Sequence, residues 1–173
     1  MKSQNSNSMD NSEFREFFIE QIKDIYWAEK HFHKTLQKLQ RAASSESLIY
    51  AFDNEIADTM QHIESVEKVF ELMGVLPQEK KCDAMEGLIK EAQEIIDDTE
   101  TDSFIRDAAL ILATQKALHY EIAVYGTLRV FAGHMDENKI RRHLEKILEN
   151  KKETDAELTE VAEEYINELA VEE

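Results

Sequence analysis

The feature that most constrains this chain is the length of its stretches without a helix breaker. Only four glycines and one proline occur among 173 residues, so few, long elements are expected. Within these stretches apolar residues recur at steps of three and four, which is the period of an amphipathic helix. Strict alternation of apolar and polar residues, the pattern of a strand, is hard to find. The sequence therefore predicts an all-α fold.

Breakers and capping residues divide the chain into four long helices and one short helix. Gly74, followed by Pro77, is expected to end the second long helix, and Gly133 the third. The predicted helices cover residues 12–43, 47–73, 83–97, 103–132 and 136–169. Short connections make the first and third long helices antiparallel to their successors, whereas the middle connection is long enough to cross the bundle. Two antiparallel helix pairs, joined by a crossover that carries a short extra helix, form a ferritin-like four-helix bundle.

Composition restricts the domain organisation and the compartment. Residues 1–11 are predicted to be a disordered polar tail, and residues 12–170 a single domain. The formal net charge of −17 disfavours nucleic acid and anionic membrane surfaces as partners. No apolar run is long enough to span a membrane, and the N-terminus lacks the apolar stretch of a signal peptide. With Cys82 as the single cysteine, these features favour a reducing, cytoplasmic location.

Each long helix carries polar groups near the middle of its apolar stripe. In the first helix, Glu29 interrupts a stripe that runs from Phe18 to Leu39. A buried carboxylate is costly unless it is paired, so four interruptions at one level of a bundle are expected to compensate one another. The interruptions and the polar residues beside them are Glu29, Glu55, Asp58, His62, Glu121, Lys151 and Asp155.

Two kinds of cation could compensate these acids. A metal ion between carboxylates and an imidazole is one solution, and such oxygen-rich ligation favours iron or manganese. The candidate metal ligands are Glu29, Glu55, Asp58, His62, Glu121 and Asp155. Lys151 at the same level offers the other solution, because its ammonium group could pair with Glu29 or Glu121 and replace the charge of the metal.

Several segments resemble the YciE/YciF family of bacterial ferritin-like proteins. They are "DIYWAEK" (24–30), "KKCDAMEGLIKEAQEIID" (80–97), "RDAALILATQKALHYEIAVYGTL" (106–128) and "TDAELTEVA" (154–162). The resemblance covers about residues 12–165. It implies a ferritin-like four-helix bundle, usually a homodimer, that is linked to bacterial stress responses. By analogy with ferritins and rubrerythrins, the fold also suggests a two-metal carboxylate site.

The chain departs from this family pattern at inward-facing positions. The pattern commonly has Glu at positions 118 and 151, where this chain has Leu118 and Lys151, and it has Glu where this chain has Asp58. A complete di-iron site needs about four carboxylates and two nitrogen ligands. The departures therefore predict a reduced or vacant site, unless Glu55 and Asp155 compensate.

Two functions follow, and the sequence leaves open whether the protein is an enzyme. In the first, Glu29, Asp58, His62 and Glu121 bind iron or manganese, and open coordination positions take a small oxidant such as oxygen or peroxide. In the second, the protein is a metal-free helical dimer or interaction scaffold of the stress response. There, a buried network of Lys151 and carboxylates replaces the metal.

Overall fold

The computed structural model describes the backbone of residues 6–173 and the side chains of residues 13–173. Its elements are α1 (Ser6–Ala42), α2 (Glu46–Leu72), α3 (Asp83–Asp98), α4 (Phe104–His134), α5 (Asn138–Val161), a π-helical turn (Ala162–Ile166) and α6 (Asn167–Glu172). Within residues 6–173 no strand is present. The all-α prediction is confirmed.

Contacts at the two ends of the bundle give the directions of its helices. Arg15, near the start of α1, donates a 2.8 Å hydrogen bond to the carbonyl of Met73 after α2 and pairs with Glu137 before α5. At the opposite end, Asp107 in the first turn of α4 accepts a 2.7 Å hydrogen bond from the backbone N–H of Ser45 before α2. Thus α1 and α5 run in one direction, and α2 and α4 in the other. This is the predicted pair of antiparallel hairpins joined by a crossover.

The crossover helix α3 packs against α1 and α4. Cys82 caps its N-terminus, because the thiol sulfur accepts a 3.4 Å hydrogen bond from the backbone N–H of Met85. The same sulfur lies 2.9 Å from the hydroxyl of Tyr120 on α4. Burial raises the pKa of the Cys82 thiol. A structural role therefore fits Cys82 better than a nucleophilic one.

Two helix boundaries differ from the prediction. Helix α1 begins at Ser6 rather than near residue 12, and residues 1–5 of the predicted tail lie outside the described residues. Helix α4 continues through Gly133 and ends at His134. The left-handed turn falls on Asp136, with φ of 59°, and an aspartate tolerates that conformation. By contrast Gly74, with φ of 71°, ends the second long helix as predicted.

The apolar stripes of the four long helices meet in one continuous core. Fully buried side chains such as Phe18, Phe32, Phe52 and Leu144 fill the regions above and below the middle of the bundle. The middle itself contains the buried charged residues Glu29, Glu55, Glu121 and Lys151. No helix in the described part of the chain is long and apolar enough to cross a membrane. The fold therefore places a layer of four buried charged residues at the middle of the bundle.

Candidate functional site

Lys151 lies at the centre of the charged layer and contacts an acid from each of the other long helices. Its Nζ lies 3.3 Å from Glu29 Oε2, 2.9 Å from Glu55 Oε1 and 2.9 Å from Glu121 Oε2. The side chain of Lys151 is fully buried, and so are those of Glu29 and Glu121. The ammonium group thus occupies the point at which three of the six predicted metal ligands converge.

Helix periodicity explains why these four residues meet. Glu29 lies four residues after Ile25 and three before Phe32, and both of these apolar residues are buried. Lys151 follows buried Ile147 by four residues on α5. Steps of three and four keep side chains on one helix face, so each charge is carried inward by its apolar neighbours.

Two hydroxyl groups support the carboxylates. The Tyr125 hydroxyl donates a 2.8 Å hydrogen bond to Glu29 Oε1, and Thr154 Oγ1 donates a 2.9 Å hydrogen bond to Glu55 Oε2. Burial, together with the neighbouring Glu29, raises the pKa of Tyr125 well above its usual value, so the phenol remains a donor. Neither hydroxyl was predicted as a site residue. Their positions in the sequence could have indicated this role. Tyr125 follows Glu121 by four residues and Thr154 follows Lys151 by three, so each shares a helix face with a charged residue of the cluster.

Glu121 is the least satisfied acid of the cluster. Its Oε2 is in ion-pair range of Lys151, yet among the described residues neither carboxyl oxygen has a hydrogen-bond partner of good geometry. Burial raises the pKa of Glu121 well above its usual value, and the nearby Glu29 adds to the shift. Burial also raises the pKa of Glu29. Burial disfavours the charged form of a carboxyl group, so such a group tends to keep its proton.

The pKa of Lys151 is raised as well, and for a lysine this favours the charged form. Burial alone would lower its pKa, but the charges of Glu121, Glu29 and Glu55 outweigh burial and raise the pKa of Lys151 well above its usual value. A buried cluster costs least when its net charge is near zero. One ammonium group balances one carboxylate, so the raised pKa values of Glu29 and Glu121 agree with three acids that share a single cation.

His62 lies beside the cluster as a neutral ring. Its Nδ1 is 3.9 Å from Glu29 Oε1 and has no hydrogen-bond partner among the described residues. Burial, assisted by the charge of Lys151, lowers the pKa of His62 to about 3. The ring also lines a cavity of about 280 Å³ between α2 and α5. His62 therefore separates this cavity from the buried carboxylates.

The structure separates the predicted ligands into two groups. Glu29, Glu55 and Glu121 converge, and His62 borders them. Asp58 is half-buried and accepts a 3.0 Å hydrogen bond from Asn150 Nδ2. Asp155 accepts hydrogen bonds from Gln115, at 3.1 Å, and from His119, at 3.0 Å, on the outer side of α4 and α5.

The residues in their observed arrangement do not fit a metal ion. Three carboxylates and one imidazole would suit iron or manganese chemically. However, the inward oxygen atoms face the ammonium group of Lys151, and a second cation at that point would meet direct charge repulsion. Among the side chains of residues 13–173, no three or more His, Cys, Asp or Glu residues are grouped so that they could hold a metal. The centre of the cluster therefore holds an ammonium group in place of a metal ion.

Comparison with known proteins identifies relatives over nearly the whole chain. The family model described as a domain of unknown function, DUF892, matches residues 13–171. Protein YciF of Escherichia coli strain K12 is 44% identical over 154 residues, which cover 88% of this chain and 92% of YciF. In the crystal structure of that E. coli stress protein, 42% of aligned residues are identical. The TM-score is 0.84, and the alignment covers 89% of this chain and 97% of the other.

Two further solved structures share the architecture. YcfI from Rhodopseudomonas palustris is 32% identical with a TM-score of 0.82, covering 84% of this chain and 92% of YcfI. A protein from Xanthomonas campestris is 21% identical with a TM-score of 0.72, covering 92% of this chain and 97% of its own. At that identity the Xanthomonas protein supports the fold alone, whereas YciF and YcfI are similar in sequence as well.

Proposed function

The chain belongs to the DUF892 family, as a relative of the E. coli stress protein YciF, and we propose that it acts as a metal-free helical scaffold in a stress response. The resemblance predicted from the sequence is thereby confirmed. The proposal depends on one observation, the position of Lys151 Nζ among three carboxylates from three helices. A lysine at this point supplies permanently the charge that a metal ion would otherwise supply.

Two further facts support a scaffold role. Leu118 is fully buried and apolar at a position where the family pattern has a carboxylate, so the cluster lacks an acid that a dinuclear site would use. YciF is called a stress protein, and YcfI is provisionally described as a structural protein. For this chain, the first name supports a role in a stress response, and the second agrees with a structural rather than a catalytic role.

Elemental analysis tests the proposal directly. We expect protein purified without a histidine tag, from cells supplemented with iron and manganese, to contain neither metal in stoichiometric amount, because Lys151 occupies the centre of the cluster. The matched variant Lys151→Glu adds a fourth acid and removes the cation, and we expect it to gain metal. About two metals per chain in the native protein, lost in Glu29→Ala, would contradict the scaffold proposal.

A redox or peroxide-handling metal protein is the second candidate. The observation that favours it is that two buried atoms, His62 Nδ1 and Glu121 Oε1, have no hydrogen-bond partner among the described residues. Both atoms could serve as ligands for iron or manganese if the ammonium group of Lys151 moved away. One metal per chain in the elemental analysis, retained in Asp155→Asn but lost in His62→Ala, would support this candidate.

We also propose that the scaffold is a homodimer through an apolar face of α1 and α4. Phe17 is half-exposed there and lies 6.2 Å from Phe131, measured between ring centroids. These rings border an open groove of about 350 Å³, which Val124 and Leu128 also line. A second copy of this face would cover the exposed rings, and such burial is a main source of association free energy.

Light scattering tests this assembly. We expect the native chain to have the mass of a dimer and Phe17→Asp to shift toward the monomer, because the new carboxylate would be buried beside apolar rings. Tyr50→Asp is the matched control, since Tyr50 is an exposed aromatic residue on α2 that does not line the groove. A monomeric native chain, or equal dissociation of both variants, would contradict the proposed interface.

A further inference from the structure

The segment 129–146 has the opposite charge balance to the rest of the chain. It contains five Arg or Lys residues and only three Asp or Glu residues, together with two histidines, in a protein that carries 20 basic and 37 acidic residues overall. The segment forms the end of α4, the turn that follows and the first part of α5. Basic side chains are thus concentrated at one end of the bundle.

Part of this basic segment lines a cavity of about 300 Å³. The lining residues are Arg129, Val130, Gly133, His134 and Arg141, and none of them is acidic. A Cβ atom at Gly133 would lie 3.6 Å from Cδ of Arg141, so the aliphatic part of that arginine extends across the glycine. Two arginines and one histidine therefore line the same cavity.

The positive charge in this cavity is only partly compensated. Arg129 Nη1 donates a 2.9 Å hydrogen bond to Glu145 Oε1. Its Nε is buried and has no hydrogen-bond partner among the described residues. Buried N–H groups are normally paired, so the unpaired Nε leaves the Arg129 guanidinium group incompletely satisfied. Among the described residues, the two arginines of the cavity thus have one carboxylate partner between them.

We propose that this cavity binds a phosphate group, either as the free ion or on a phosphate monoester. A guanidinium group donates two parallel hydrogen bonds to an oxyanion, and a carboxylate is satisfied by one such group. Two guanidinium groups match the larger charge and the additional oxygen atoms of a phosphate. The volume exceeds the requirement of the ion alone, which leaves space for an organic substituent. This proposal does not depend on whether the Lys151 cluster binds metal.

Calorimetric titration of the native protein tests the site, with inorganic phosphate and glycerol 3-phosphate as probes. Ionic strength is held constant with chloride, because salt screens exposed charges. We expect saturable binding that weakens about tenfold or more in Arg129→Gln and in Arg141→Gln, since each removes charged hydrogen bonds. Arg142→Gln is the matched control, as it changes the same charge on a neighbouring residue that does not line the cavity.

A second variant separates ligand contact from a purely structural effect of Arg129. Glu145→Gln releases Arg129 from its ion pair, and we expect it to keep or strengthen phosphate binding. Weaker binding in Glu145→Gln, an equal loss in Arg142→Gln, or no saturable binding by the native protein would overturn the proposal. Tighter binding of glycerol 3-phosphate than of phosphate would identify an organic phosphate as the ligand, and equal binding would identify the ion.

Discussion

Replacing Lys151 with Met is expected to lower the free energy of unfolding by about 3–5 kcal/mol, because it leaves buried acids without their cation. Methionine keeps most of the length of the aliphatic stem, so the loss of stability is due mainly to removal of the positive charge. Glu29, Glu55 and Glu121 would lie together in the core, and each would have to keep its proton or remain as a buried anion. Urea unfolding, followed by circular dichroism, measures the change.

The raised pKa values of the acids predict how the destabilisation by Lys151→Met changes with pH. Burial raises the pKa of Glu29, and that of Glu121 well above its usual value, from a reference of 4.5. Above that reference the folded state binds more protons than the unfolded state, so stability falls as the pH rises through the raised pKa values. Lys151 opposes these shifts in the native protein. The difference between Lys151→Met and the native chain should therefore be larger at mildly alkaline than at mildly acidic pH.

Lys152 provides the matched control for Lys151. It is the next residue on α5 and is exposed. Lys152→Met should change the free energy of unfolding by no more than about 0.5 kcal/mol, because surface substitutions away from special features are usually that small. If Lys151→Met were as mild as Lys152→Met at all pH values, the cluster would not need its cation. The scaffold proposal would then lose its main support.

The helices could be predicted from local rules, and the error at the end of α4 arises where tertiary packing decides the boundary. Helical periodicity and scarce breakers are properties of neighbouring residues, so the four long helices and the crossover follow from the sequence. Gly74 and Gly133 show the limit of that approach. Gly74 takes a left-handed conformation, whereas at the end of α4 Asp136 takes that role and Gly133 stays helical. Which residue takes the turn depends on the packing of the next helix, and sequence does not show that packing.

The site was predictable only where side chains lie on the helix stripe. Glu29, Glu55 and Glu121 occupy stripe positions and converge as the sequence indicated. Asp58 and Asp155 each lie one residue away from the stripe. Successive side chains on a helix point about 100° apart. Asp58 and Asp155 therefore point away from the cluster and bind Asn150 and Gln115 instead. Lys151 could be predicted to face inward, but its contact with all three acids depends on the spacing between helices.

Removing all the charges of the cluster should restore most of the stability lost in Lys151→Met. The variant combines Lys151→Met with Glu29→Gln, Glu55→Gln and Glu121→Leu. Glutamine at positions 29 and 55 retains an oxygen that can accept the hydrogen bonds of Tyr125 and Thr154. Leucine replaces Glu121 because Oε1 of that residue has no partner. We expect a free energy of unfolding within about 2 kcal/mol of the native value, since buried ion pairs are often replaced by neutral groups at little cost.

A further variant completes the double-mutant cycle. It carries Glu29→Gln, Glu55→Gln and Glu121→Leu and retains Lys151. That variant buries an ammonium group without a carboxylate, so it should be about as unstable as Lys151→Met alone. Strong instability of both partial variants, with recovery in the full combination, is the signature of charge coupling across four helices. If the full combination stayed as unstable as Lys151→Met, the lysine would act through the packing of its stem. The charges would then serve a purpose other than stability, and the metal-binding candidate would gain support.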